Sequence, residues 1–188
     1  MSSVGDPLRD FSLGGLMNLD VDSLERNTTL TTLDLGYEEI RNNVVMVVVA
    51  SLGRNTTLTT VRLAGNGIGE VGGVVLAASL ERNTTLTTLY LEDNFLGEAG
   101  GVAVAGALEK NTTLTKLDLR NNSLGESFGE AVAGVLDRNT TLVELRLSFN
   151  SISQPVLEEI ASKLTGREPP YTGPLVKPAL PSLPRSVT

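Results

Sequence analysis

Apolar and polar positions recur along this chain with a period of 28 residues. Each unit carries apolar residues in the spacing L-x-x-L-x-L, followed by x-x-N-x-L. In the third unit these positions are Leu86, Leu89, Leu91, Asn94 and Leu96. The triplet Asn-Thr-Thr opens every unit, beginning at Asn27, Asn55, Asn83, Asn111 and Asn139. A constant period of this length is typical of a stacked repeat array.

Each unit predicts one short strand, one turn and one helix. The three leucines before Asn94 point inward around the strand, and Asn94 turns the chain and bonds to the backbone of neighbouring units. The helix covers the same core with Val104, Ala105 and Leu108. One unit cannot bury this apolar face, whereas five stacked units can. The predicted fold is a right-handed α/β solenoid, or horseshoe, with a parallel inner sheet and outer helices.

The repeat pattern divides the chain into three predicted parts. Residues 27–166 hold five units, although Glu38 replaces the turn asparagine in the first of them. Residues 1–26 are expected to form an irregular N-terminus and a helical N-terminal cap that covers the first core layer. Residues 167–188 are Pro-rich and are expected to be extended, because the leucine spacing stops before them.

Two sequence features resemble the ribonuclease-inhibitor-like class of leucine-rich repeats. They are N-T-T-L-T-x-L at the strand and L-G-E-x-G-G, from Leu96 to Gly101, before an apolar helix. The resemblance covers roughly residues 15 to 165 and is specific for the fold. About function the resemblance says almost nothing. Because members of the class share a frame and bind different partners, it does not name the partner.

Composition narrows the chemistry that this chain can perform. A net charge of -7 and a pI of about 4.7 disfavour bulk electrostatic binding to nucleic acid or to an anionic membrane. The absence of both Cys and His excludes the common zinc sites and the Ser-His and Cys-His relays. We therefore expect no catalytic residue, cofactor or metal. The first residues do not read as a signal peptide, which favours an intracellular, cytoplasmic protein.

A dinucleotide-binding fingerprint, G-x-G-x-x-G, occurs from Gly67 to Gly72, with Glu92 beyond it. The position of Gly67 is occupied by Phe95 and Ser123 in the next two units, while the rest of the unit is unchanged. The glycines are therefore interpreted as part of the repeat turn.

The open side of the strand layer, called here the concave face, is the first candidate for partner binding. Alternation along each strand predicts which side chains reach it. The candidates are Tyr37, Arg62, Tyr90, Glu92, Asp93, Asp118, Arg120, Arg146 and Phe149. Aromatic and arginine side chains of this kind form binding hot spots. The alternative is that the charges pair across strands, as Asp34 with Arg62 and Asp118 with Arg146, and form a solvated ladder.

The outer side of the helices, called here the convex face, carries an apolar strip in the first three units. Its members are Met46, Val47, Val74, Val75 and Val102. A solvated helix should be polar at such positions, so the strip predicts a second binding surface. Two alternatives are that residues 1–14 or the Pro-rich tail cover it, or that small apolar residues are simply tolerated there.

Two classes of function follow from these surfaces, beside a third that has less support. The first is an interaction module for protein partners, without nucleic acid or membrane binding. The second is a structural subunit of a cytoskeletal or other multiprotein assembly, with the convex helices and the tail packed on neighbours. The third is an accessory to enzyme chemistry, but nothing singles out a catalytic arginine among Arg62, Arg120 and Arg146.

Overall fold

The computed structural model describes residues 24–38 and 42–167, and the side chains of residues 42–44 are excepted. Five strands alternate with five helices along these residues. The strands are β1 Thr32–Asp34, β2 Thr60–Arg62, β3 Thr88–Tyr90, β4 Lys116–Asp118 and β5 Glu144–Arg146. The helices are α1 Asn42–Ser51, α2 Glu70–Leu80, α3 Gly97–Lys110, α4 Glu126–Leu136 and α5 Gln154–Leu164.

The strands form one parallel sheet in the order β1-β2-β3-β4-β5. Each residue pairs with the one 28 positions later, as Leu33 does with Val61 and Leu89 with Leu117. The predicted α/β repeat solenoid is therefore confirmed, and its register is the period of the sequence. The predicted N-terminal cap and the Pro-rich tail fall almost wholly outside the described residues. None of the described helices is long and apolar enough to cross a membrane.

A single apolar core runs between the strands and the helices. The strand leucines of the third and fourth units and the helix positions typified by Val104 and Leu108 are fully buried in one continuous cluster, against which Leu30 and Leu145 of the first and fifth units pack half-buried. Phe128 on α4 is the largest of the fully buried side chains. Burial of this layer drives stacking, because each unit covers one face of the next.

The turn asparagines form the predicted ladder of hydrogen bonds between units. The side-chain Nδ2 of Asn66, Asn94, Asn122 and Asn150 donates to the carbonyl oxygen of the residue 31 positions earlier, at 2.7–3.0 Å. Among the described residues the ladder begins at the second unit, as the replacement by Glu38 predicts. A buried amide that meets backbone carbonyls in this way satisfies groups that would otherwise lose water without compensation.

The asparagines of the Asn-Thr-Thr triplets behave differently from what their position at helix exits predicts. Asparagine often leaves a helix in the left-handed conformation, but Asn111 is extended, with φ -75° and ψ 124°. Its side chain is instead buried and forms a second ladder: Oδ1 accepts from the N–H groups of Thr113 and Leu114, and Nδ2 donates to the carbonyl of Leu80 at 2.7 Å. Asn111 thus leaves the helix without the left-handed conformation, and its side chain bonds to the backbone of its own unit and of the preceding one.

Arg167 occupies the position 28 residues after Asn139 and ends this second ladder. Its guanidinium donates to the carbonyl oxygens of Asn139 at 2.7 Å, Leu142 at 2.9 Å and Leu136 at 2.6 Å. The carbonyls of Leu136 and Asn139 are the two that a triplet asparagine at this position would contact. The residue expected to begin the extended tail therefore closes the repeat array.

The glycines at the helix starts make room for a carboxylate from the preceding unit. Glu98, in the first turn of α3, accepts a hydrogen bond from the backbone N–H of Phe128 in α4 at 3.0 Å. A Cβ atom on Gly125 would lie 2.0 Å from a carboxylate oxygen of Glu98. The same contact joins Glu70 to the position of Gly97. This packing supports the reading of the G-x-G-x-x-G sequence as a repeat turn.

Candidate interaction face

One row of residues, immediately after the strands, adopts the left-handed conformation. Tyr37, Asp93, Asn121 and Phe149 have φ between 52° and 62°, and Gly65 in the same row has φ 64°. In this conformation the backbone N–H groups of Tyr37, Gly65, Asp93 and Asn121 each bond to a carbonyl of the next unit, for example that of Asp93 to Arg120 at 3.0 Å. Positive φ is strained for aromatic residues, so two of these residues hold unfavourable backbone geometry at the surface.

Tyr37 reaches across the second unit to contact the third. Its hydroxyl donates to the carboxylate of Asp93, which also accepts from Asn121 Nδ2 at 2.8 Å. The path is open because Gly65 has no side chain: a Cβ atom there would lie 2.2 Å from the Tyr37 ring. The hydrogen bond to Asp93 raises the pKa of Tyr37, and the same bond, followed by that from Asn121, lowers the pKa of Asp93.

We expect the phenol of Tyr37 to ionise at higher pH than an ordinary tyrosine, whose pKa is about 10. Because its pKa is raised in the folded state, the contact contributes stability below pH ~10 and loses it as pH rises through the folded pKa. Ultraviolet titration of the phenols should show a late transition that is lost in Tyr37→Phe and kept in Tyr90→Phe. Asp93→Asn should return it toward the ordinary value. A late phenol that persists in Tyr37→Phe would contradict the assignment.

Asp118 is the centre of a buried ion-pair cluster. Its side chain is 0% exposed and accepts two-pronged hydrogen bonds from Arg120, with Nε at 2.9 Å and Nη2 at 2.8 Å. Arg146 Nη1 lies 3.6 Å from the same carboxylate. The hydrogen bonds to Asp118 raise the pKa of Arg120. Asp118, expected from the sequence to contact a partner, is therefore inaccessible and orients the two arginines that can.

Arg62 contacts an aromatic ring and two carboxylates on the first three strands of the concave face. Its guanidinium carbon lies 4.6 Å from the centre of the Tyr90 ring, a cation–π contact. Its nitrogen atoms also lie 3.7 Å from the carboxylates of Asp34 and Glu92. The two cross-strand pairs foreseen from the sequence, Asp34 with Arg62 and Asp118 with Arg146, both form.

A cleft of about 390 Å³ opens over this network. Its lining is Tyr37, Glu92, Asp93, Arg120, Asn121 and Phe149. Glu92 is only 7% exposed, and its Oε2 has no hydrogen-bond partner among the described residues. Phe149 is 81% exposed and Tyr37 57%. Five of the nine concave candidates therefore line one cleft, and Arg62, Tyr90, Asp118 and Arg146 surround or support it.

The repeat pattern and the fold agree with comparisons to known proteins. The family model described as Leucine Rich repeat matches residues 54–77, 82–105, 110–127 and 138–161. This chain is a leucine-rich repeat protein. Its 28-residue units of strand and helix fit the ribonuclease-inhibitor-like class that the sequence indicates. No curated protein matches the sequence.

Two solved structures share the fold of this leucine-rich repeat protein. The structure of leiomodin-1 actin-binding site 2 is 23% identical, with a TM-score of 0.70, over 77% of this chain and 85% of the leiomodin-1 chain. The tropomodulin C-terminal domain of Caenorhabditis elegans is 17% identical, with a TM-score of 0.68, over 78% of this chain and 92% of that chain. At these identities the likeness establishes the fold.

The convex face of the leucine-rich repeat protein is less uniformly exposed than the repeat alignment suggests. Val74 and Val102 are exposed, at 49% and 39%. The other three predicted members, Met46, Val47 and Val75, are half-buried. The position of Val75 against the core cluster explains its burial. The apolar strip is therefore confined to parts of α2 and α3.

Two exposed apolar residues were missed by the sequence reasoning. Val71, in the first turn of α2, is 74% exposed, and Phe95, after the turn asparagine of the third unit, is 67% exposed. Phe95 was visible in the sequence, since the equivalent positions are Gly67 and Ser123.

Among the described residues, no group of carboxylates is arranged to hold a metal ion.

Proposed function

We propose that this leucine-rich repeat protein is a non-catalytic protein–protein interaction module that binds its partner across the cleft of the concave face. The observation that carries the proposal is the pair of exposed aromatic side chains, Tyr37 and Phe149, held at positive φ beside that cleft. Strained backbone persists where the surrounding structure enforces it, and it is concentrated at functional sites. Large aromatic side chains are also the residues that anchor protein interfaces.

The charges of the face support recognition rather than chemistry. Asp118 holds Arg120 by a two-pronged contact, and Arg62 stacks on Tyr90. Such locked side chains present fixed charges, which favour specificity and orientation of a partner. Five strands spaced about 4.8 Å apart give a surface ~20 Å across. This width suits a helix or an extended segment of a partner protein. We also propose that the protein acts inside the cell.

Affinity capture with the full chain tests the proposal. Phe149→Ser removes the most exposed aromatic of the cleft, and Phe95→Ser is its matched control, because Phe95 is similarly exposed but does not line the cleft. We expect proteins captured by the wild type and by Phe95→Ser to be lost with Phe149→Ser, at unchanged thermal stability. Equal capture by all three forms would reject the concave face as the binding surface.

Actin is the first purified partner to test. The reason is that one solved structure with this fold is an actin-binding site of leiomodin-1. The first assay is co-sedimentation of the protein with actin filaments. The second measures whether the protein slows filament elongation, which is followed by the fluorescence of pyrene-labelled actin. Binding that falls with Phe149→Ser and not with Phe95→Ser would place actin on the cleft. No binding would remove actin and leave the module proposal to the capture experiment.

A structural subunit of a larger assembly is the second candidate. The exposed Val71, Val74 and Val102 favour it, because a neighbour could bury them. The test is solution mass by light scattering, with the triple change Val71→Lys, Val74→Glu and Val102→Lys. These three residues are exposed, whereas charges at half-buried Met46 or Val75 would also disturb packing. Self-association that the triple change abolishes supports a contact surface, and a monomeric parent argues against self-assembly.

A further inference from the structure

We propose that the cleft beside Glu92 accepts a positively charged side chain, a lysine or an arginine, of the partner protein. The inference rests on the proposed function and adds the chemistry of recognition. It follows from a buried carboxylate with one oxygen that lacks a donor, a second carboxylate whose hydrogen bonds come from uncharged groups, and two aromatic rings that line the cleft.

The buried negative charge of Glu92 receives too few hydrogen bonds. Its Oε1 lies 3.7 Å from Arg62 and 4.0 Å from Arg120, distances that give charge attraction without a hydrogen bond. Its Oε2 has no donor among the described residues, although the side chain is more than nine-tenths buried. Buried carboxylates normally accept several hydrogen bonds. The carboxylate therefore lacks what an ammonium or guanidinium group supplies.

The two arginines near Glu92 are committed elsewhere. Arg120 directs its Nε and Nη2 to both oxygens of Asp118, and its charge is matched by that fully buried carboxylate. Arg62 lies over the Tyr90 ring and beside Asp34. Neither guanidinium is placed to satisfy Glu92 fully.

Asp93 adds a second negative charge on the cleft. Its carboxylate accepts hydrogen bonds from Tyr37 and Asn121, both uncharged donors. No described Lys or Arg side chain forms an ion pair with it. The lining thus contains two carboxylates and one arginine, Arg120, whose side-chain hydrogen bonds go to Asp118.

The walls and the volume fit a long cationic side chain. Phe149 and Tyr37 offer aromatic surface, on which an ammonium or guanidinium group is held by cation–π attraction. A cleft of about 390 Å³ is large enough for one such side chain. An anionic ligand would meet the surplus of negative charge, and a purely apolar one would leave both carboxylates uncompensated.

Amide NMR titration of the full chain tests the proposal with defined probes. The probes are n-butylammonium and ethylguanidinium chloride, with n-butanol as the uncharged control and sodium chloride at equal ionic strength. We expect saturable shifts at Glu92, Asp93, Asn121 and Phe149 with the cations and none with butanol. Equal shifts with butanol, or no saturation with either cation, would overturn the proposal.

Two isosteric variants assign the effect to Glu92. Glu92→Gln keeps the shape and removes the charge, and we expect binding of either cation to weaken about tenfold, the loss of one charge-assisted contact. Glu144→Gln is the control, because that carboxylate lies on the same sheet but pairs with Lys116 and Arg146. It should bind as the wild type does. Unchanged affinity in Glu92→Gln would overturn the proposal, and if that variant unfolds, Asp93→Asn takes its place with the same expected loss.

Short peptides separate a protein side chain from a free amine. A pentapeptide with central lysine is compared with the same peptide carrying norleucine, which has the stem without the charge. Preference for lysine supports a protein side chain, whereas binding of free amines without any peptide binding rejects it. If neither cation binds while Phe149→Ser still abolishes partner capture, the interaction module is supported and the recognition of a cationic side chain is rejected. If the cations bind while capture is insensitive to Phe149→Ser, the module proposal fails instead.

Discussion

Replacing Asn111 with alanine is expected to lower the free energy of unfolding by about 3–5 kcal/mol, because it leaves several buried backbone groups unpaired at about 1–3 kcal/mol each. The Asn111 side chain is 2% exposed and makes four hydrogen bonds. Oδ1 satisfies the N–H groups of Thr113 and Leu114, and Nδ2 satisfies the carbonyls of Leu80 and Asn83. Alanine replaces none of them, and the site is closed to water.

Urea unfolding followed by circular dichroism measures this loss as a shift of the midpoint at constant slope. The matched control is Thr112→Ala, which changes the exposed neighbour in the same triplet and should stay within about 0.5 kcal/mol of the wild type. Asn111→Asp is a sharper variant, since it keeps the acceptor but places a carboxylate against two carbonyls. A loss below ~1 kcal/mol for Asn111→Ala would show that the ladder is replaceable by solvent.

The period of the sequence was sufficient to predict the fold and the strand register. In a repeat array the residue that pairs with Leu33 is fixed by the spacing alone, and Val61 stands there as required. The helix starts near Gly97 and Gly125 were equally visible. Helix α3 ends at Lys110, directly before the triplet asparagine Asn111.

The roles of single polar side chains were harder to predict, because they depend on distances between units. Alternation places Asp118 and Arg120 in adjacent rows of the concave face, but it does not say that they pair or that Asp118 is buried. The contact between Tyr37 and Asp93 could have been predicted from one feature of the sequence. Gly65 is the glycine of that row, and its missing side chain makes space for an aromatic ring from the unit before.

Arg167 shows how a repeat can end without its own motif. The leucine spacing ends before residue 167, so the sequence places this residue in the tail. Counting 28 residues from Asn139 would have identified it as the next member of the triplet series. A guanidinium can donate to several carbonyls at once, and it therefore satisfies the carbonyls at the last rung of the ladder within the described residues.

A close approach of helices α2 and α3 predicts the second large effect. Gly73→Ala is expected to lower the free energy of unfolding by about 1–3 kcal/mol, the usual cost of overpacking. A Cβ atom there would lie 2.8 Å from the Gly100 Cα and 3.2 Å from a methyl group of Leu96. Since the nearest atom belongs to backbone, α2 and α3 must separate rather than reorient a side chain.

Gly106→Ala is the matched control, because it makes the same change inside a helix where no atom lies within 4 Å of the new Cβ. Alanine favours the helix over glycine by roughly 1 kcal/mol, so this variant should be more stable than the wild type by about 0.5–1 kcal/mol. The difference between the two variants in urea unfolding isolates the packing of α2 against α3. If Gly73→Ala were stabilised to the same extent as Gly106→Ala, the two helices would not be in the close contact that stacks the second unit on the third.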